Sequence, residues 1–387
     1  MLGAVAALAI GAAPASAAFT PGAAGVGDPF FPRAGNGGYD VSHYDIDLNY
    51  IPANNHLVAT TTIRATATND LSAFDLDYRG PRITGLTVGG IPVPFDRHGQ
   101  ELVVTPPAGI RNGAVFTVKV DYRGTPRSIT DPDGSIEGWV RTSDGAFVVG
   151  EPQGSPTWFP CNDHPTDKAT FEISITVPQG TQAISNGALR ARTPSKRKHA
   201  RRHRHRRHRH KAAATVTWNY GSSQPMATYL ATATVGDFTI DRSRVAGLGS
   251  VVAVDPTEAR PALASQTLDQ IGPIITLFDG LFGPYPFNQT GAIVDHAPTV
   301  GYALETQTRP IFDRAPDEIT LSHEIAHQWF GDSVSLERWQ DMWLNEGFAT
   351  WAEWRWTEAH GGRTTAEQFE SLLAEPAKST IWRPPRT

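Results

Sequence analysis

Ser322-His323-Glu324-Ile325-Ala326-His327-Gln328-Trp329-Phe330-Gly331 is the stretch on which the reading of this chain turns. Two histidines four residues apart lie on one helix face about one turn apart, where both imidazoles reach a single ion. Glu324 stands beside the first, suitably placed to take a proton from water that a bound cation makes acidic. Leu321, Ile325, Ala326 and Trp329 make the rest of the helix apolar. The histidines therefore interrupt a buried face, where uncoordinated imidazoles are costly. Eighteen residues then separate His327 from Glu346, which lies in Asn345-Glu346-Gly347-Phe348-Ala349 on a second helix able to return across the first. His323, His327 and Glu346 make a two-His, one-carboxylate set with a fourth position open, and one Zn2+ per chain is the expected metal. The class of site that takes a third His six residues after His327 is excluded, because position 333 is Ser.

Outward from this segment the pattern divides the chain. From about 40 to 177 apolar residues alternate: Tyr44, Ile46, Leu48, Tyr50; Phe116, Val118, Val120, Tyr122; Phe171, Ile173, Ile175, Val177. Alternation of this kind describes half-buried antiparallel strands, and Pro/Gly clusters such as Pro106-Pro107-Ala108-Gly109 supply the turns between them. Residues 18–238 are read as an N-terminal antiparallel β-sandwich domain. After about Phe238 the pattern turns helical, with helices expected over 268–282, 316–330 and 341–360. The first is kinked or started by Pro273.

Composition bounds the rest. With 387 residues, 40% hydrophobic and 19% charged, the chain has room for two globular cores. A single cysteine, Cys161, excludes an internal disulfide framework and a Cys-x-x-Cys metal site. Residues 1–17 read as a secretory signal ending in Ala15-Ser16-Ala17, with cleavage before Ala18, although no Lys or Arg precedes Arg33. Export from the cytoplasm is expected, and no later apolar run is long enough to span a bilayer. The net charge of −5 conceals a tract, residues 196–211, with ten Lys or Arg, five His and no acid. It interrupts a hairpin between strand-like runs, and reads either as a solvated loop or as a contact for polyanions or transition metals.

The chain resembles the aminopeptidase N family (the membrane alanyl aminopeptidase type) of zinc metallopeptidases, the gluzincin branch. His-Glu-Ile-Ala-His-Gln-Trp-Phe-Gly at 323–331 and Trp-Leu-Asn-Glu-Gly-Phe-Ala at 343–349 are similar to its signatures at its spacing. Upstream, Trp158-Phe159-Pro160-Cys161-Asn162-Asp163-His164-Pro165 is similar to the family's Phe-Pro-Cys-Phe-Asp-Glu-Pro segment, and Phe282-Gly283-Pro284-Tyr285-Pro286-Phe287 to another of its runs. The resemblance implies an α+β chain whose second part, 239–387, is a thermolysin-like catalytic domain. It implies that Glu151 and Glu305, with the strand Gly301-Tyr302-Ala303-Leu304-Glu305, grip the free α-amine of a peptide substrate. Gly301 and Ala303 belong to the substrate-binding strand, with Tyr302 and Thr306 departing from the family's usual residues. The implied reaction is removal of one N-terminal residue, with Glu324 as general base. An endopeptidase with the same ligands, and an epoxide hydrolase of the leukotriene type, are the enzymatic rivals.

The family also uses a tyrosine several tens of residues beyond its third ligand to stabilise the oxyanion. No Tyr follows Tyr302. The catalytic domain is on that count expected to be C-terminally truncated, and a catalytically impaired zinc-binding fragment is the alternative, since losing such a donor costs on the order of 10² to 10³ in turnover.

Overall fold

Tyr44, Ile46, Leu48 and Tyr50 all point into the core from the strand Tyr39–Ile51, whose intervening residues face outward. The computed structural model describes residues 18–131, 134–195 and 214–382. In it, this strand lies inside an eight-stranded sheet in the order Ala188–Pro194, Thr215–Met226, Ala169–Pro178, Tyr39–Ile51, His56–Ala67, Val115–Gly124, Arg82–Val88, Ile91–Pro92. Neighbours are antiparallel except Ala169–Pro178, which runs parallel to Tyr39–Ile51. A parallel neighbour needs a long return connection, and more than a hundred residues intervene here. Two smaller sheets cover this one. One contains Ile136–Arg141, Ala146–Val149, Ala233–Gly236 and Gln182–Ser185; the other is built on Leu71–Asp77 and Glu101–Val104. All three share one core, in which Trp139, Trp158 and Tyr229 meet the inward residues of the large sheet.

Residues 239–254 are strand, which corrects the helical expectation beyond Phe238. Thr239–Val245 and Leu248–Val254 form a hairpin closed by Ala246-Gly247, both at positive φ. Such a turn is usually advertised by Asn-Gly or Asp-Gly, and Ala-Gly gives a weaker signal. The hairpin starts a second sheet, continued by Gln289–Val294, Ile311–Phe312 and Ala303–Leu304.

Among the described residues five α-helices follow or pack against that sheet: α1 Pro261–Leu268, α2 Ile271–Phe282, α3 Glu318–Ala326, α4 Trp343–Ala359 and α5 Thr365–Leu373. The expected 268–282 helix begins at Ile271, so Pro273 falls in its first turn, where a missing N–H costs nothing. The 316–330 helix contracts to α3. Asp317 caps its start, accepting from the Thr320 N–H at 2.8 Å, and His327 is already its C-cap.

A third apolar cluster joins the parts. Phe147, Val149 and Ile184 of the smaller N-terminal sheet pack against Ala253, Ile293, Leu304 and Ile311. This contact places the strand leading to Glu305 beside the turn carrying Glu151. The 1–17 segment and the 196–211 tract lie outside the described residues. Ser195 and Thr215, which border the tract, are hydrogen-bonded across the base of the antiparallel hairpin at 2.8 Å and 3.0 Å.

Candidate metal centre

The last turn of α3 and the first turn of α4 bring the expected ligands together. The two helices pack on each other through a common core of Leu321, Ile325, Ala349 and Ala352. His323 Nε2 lies 3.1 Å and His327 Nε2 3.5 Å from the two oxygens of Glu346. One ligand atom from each of the three falls within 4.8 Å of the others. The imidazole centroids are 4.7 Å apart. His327 is buried, while Glu346 is 45% exposed and forms the open side of the site.

Each imidazole is held from behind. His323 Nδ1 is 2.5 Å from Glu353 Oε1, and His327 Nδ1 is 3.0 Å from the Phe330 carbonyl oxygen. These partners accept a hydrogen bond from Nδ1–H and leave both Nε2 atoms free to coordinate, the arrangement that orients metal-binding histidines. Burial opposes charge on His323, but Glu346 and Glu353 overcome it and push its pKa up to about 11 without metal. Burial likewise acts to raise Glu346, yet His323 and His327 hold it below the usual carboxylate range. The cluster favours a cation. Two imidazole nitrogens, one carboxylate and a satisfied outer layer fit zinc.

Further acids converge on the same place. Glu324 is buried, and burial, with Glu305, Glu346 and Glu353 nearby, raises its pKa well above the normal value although His323 acts the other way. Glu305 is buried too, and one of its oxygens lies within 4.8 Å of ligand atoms of Glu324 and His327. Tyr229 donates its hydroxyl to Glu305 Oε1 at 3.3 Å, and Gln328 donates its amide to the Glu305 carbonyl at 3.0 Å. Glu151, half-buried in the turn after Ala146–Val149, has a raised pKa because of burial and then the charge of Glu305. Ala303 lies on the last strand of its sheet. Gly301, at φ 88°, already donates its N–H to Asp313 at 2.8 Å, leaving its carbonyl for other partners.

Sequence reasoning missed Glu353, Tyr229 and Gln328. Glu353 had a signal: it stands seven residues after Glu346, two turns along the same helix face. Gln328, inside the decisive stretch, ties α3 to the turn after Glu305, since its side-chain oxygen accepts the Thr308 N–H at 2.7 Å. Tyr229 comes from a distant 3-10 turn, Thr228–Leu230, and no local pattern marks it.

Comparison with known proteins agrees with this geometry. The Peptidase M1 N-terminal domain matches residues 41–230, and the Peptidase family M1 domain matches residues 303–381. Glutamyl aminopeptidase of Rattus norvegicus is 26% identical over 350 residues, covering 80% of this chain and 34% of the relative. Endoplasmic reticulum aminopeptidase 1 of Homo sapiens is 25% identical over 341 residues, with the same coverage. This chain thus spans about a third of the length of these relatives. An M1 zinc metallopeptidase from Deinococcus radiodurans superposes with a TM-score of 0.76 at 29% identity, covering 92% of this chain and 79% of that one. A mutant of that enzyme bound to a Tyr-Ser-Ala substrate gives 0.77 at 29% identity, covering 91% and 79%. With the His323–His327 pair, the Glu346 carboxylate beside it and both domain matches in agreement, the chain belongs to peptidase family M1, a family of zinc metallopeptidases.

Proposed function

We propose that this chain is a zinc-dependent aminopeptidase, hydrolysing the first peptide bond of substrates with a free N-terminus. The observation that carries the reading is the convergence of Glu151, Glu305 and Glu324 on the His323–His327–Glu346 site. His323, His327 and Glu346 would hold the zinc, which when bound would supply Lewis acidity toward the scissile carbonyl and water. Glu324 accepts the proton of the attacking water and delivers it to the departing amine. Its raised affinity for protons suits that shuttle. Burial and then the charge of Glu305 raise the proton affinity of Glu151, and one substrate ammonium between the two carboxylates relieves that repulsion. Tyr229 and Gln328 hold Glu305 in place. A binding site for one ammonium counts residues from the N-terminus, and so selects exopeptidase action. Export through residues 1–17 and a polyanion contact through residues 196–211 belong to the same reading.

Glu324→Gln is expected to abolish hydrolysis of an aminoacyl-nitroanilide, a loss of 10²-fold or more, while zinc content by metal analysis stays at one per chain. Retained turnover would refute the base assignment. N-acetylation of a peptide substrate is expected to prevent its cleavage; an endopeptidase with these ligands would still cut it.

A further inference from the structure

Away from the metal site, the hairpin of Ala188–Pro194 and Thr215–Met226 meets the strand Thr239–Val245 around a cavity of about 450 Å³. Its polar lining is Thr181, Gln182, Arg192, Trp218 and Arg242. Arg192 is the cross-strand partner of Trp218, with its guanidinium carbon 4.9 Å from the indole centroid. Arg242 reaches the same indole from the second sheet, at 5.9 Å. Both arginines are exposed, and among the described residues neither has a carboxylate within 4 Å. Arg190, two residues before Arg192, does have one: Glu172 at 3.7 Å.

Trp218 is 4% exposed, and its buried indole N–H has no hydrogen-bond partner. Gln182 accepts the Phe238 N–H on its side-chain oxygen at 2.5 Å, so the NH2 end of the amide is the end left to bind. The lining therefore offers two guanidinium forks, an amide NH2 and a hydroxyl, and among the described residues no carboxylate. Donors of this kind, with two fixed positive charges, match an anion carrying several oxygens. The indole is already in contact with the guanidinium groups, which disfavours a stacked aromatic ligand.

We propose that this cavity binds an oxyanion-bearing ligand, a phosphate or a carboxylate, between the Arg192 and Arg242 guanidinium groups with the Gln182 amide NH2 as third donor. Because Arg192 and Arg242 come from different sheets, the bound anion also ties the two domains together. The test uses the zinc-loaded full chain, titrated with inorganic phosphate and with succinate at fixed ionic strength, read by calorimetry and by the unfolding midpoint. Saturable one-to-one binding is expected for at least one of them, with a raised midpoint; the one that binds identifies the ligand class. Arg192→Ala and Arg242→Ala are each expected to weaken it at least about tenfold, Trp218→Phe to weaken it less, and Arg190→Ala to leave it unchanged. Lack of saturable binding by both probes overturns the proposal. So does binding that survives the Arg192→Ala, Arg242→Ala double substitution, as would follow if the 196–211 tract alone held the anion. Should either alanine variant lower the anion-free midpoint, Arg192→Lys and Arg242→Lys, which keep the charge and lose the fork, carry the same comparison.

Discussion

Glu353 does for His323 what the Phe330 carbonyl does for His327, but with a full negative charge at 2.5 Å. Removing that charge frees the imidazole to rotate and lowers its basicity as a ligand. Glu353→Ala is expected to reduce zinc affinity about 10- to 100-fold, measured by competition with a chelator, with helix content unchanged. Buried Glu324 and Glu305 present a different balance at the same scale. Burial first, and then neighbouring acids, raise the proton affinity of each, a condition acceptable at a site that meets positive charge.

At the scale of elements, α3 is only nine residues long and yet carries His323 and Glu324, with His327 as its C-cap. A helix that short is marginal alone, so its cap and its packed face hold it. Asp317 binds the Thr320 N–H at 2.8 Å, and Leu321, Ile325 and Ala326 are buried against α2 and α4. Asp317→Ala is expected to cost about 1 kcal/mol of stability, seen as a lowered unfolding midpoint, with ligand geometry and zinc content preserved. The strand Ala303–Leu304 is two residues long and is positioned by the apolar contacts of Leu304, more than by its own ladder.

Over the whole molecule, buried acids make stability depend on pH. Burial raises Asp77 and Asp167 to about 7, against the hydrogen bonds that Asp77 accepts from the Asp163 N–H and Gln100 and that Asp167 accepts from the Val41 N–H. Unfolded, both ionise near pH 4. Between those values the folded chain binds more protons, so stability falls as pH rises through that window. His323, raised to about 11 in the metal-free protein, acts in the same direction above the ordinary imidazole pKa; His164, lowered by burial, opposes it. The metal-free protein is therefore expected to be more stable at pH 5.5 than at pH 7.5, on the order of 1 kcal/mol or more, by thermal unfolding in a chelating buffer.

The sequence by itself determined that His323 and His327 stand together, because a four-residue spacing on a helix puts both on one face whatever surrounds them. It also determined the alternating strands of the first domain, because each half-buried strand writes its own period into the chain. Only the tertiary structure decided the parallel pairing of Ala169–Pro178 with Tyr39–Ile51, the hairpin at 239–254, and the approach of Tyr229 and Glu151 to Glu305. These depend on contacts between segments tens to hundreds of residues apart. Such contacts are set by which apolar faces pack together, as Phe147 and Ile184 do with Leu304, and no local spacing encodes them.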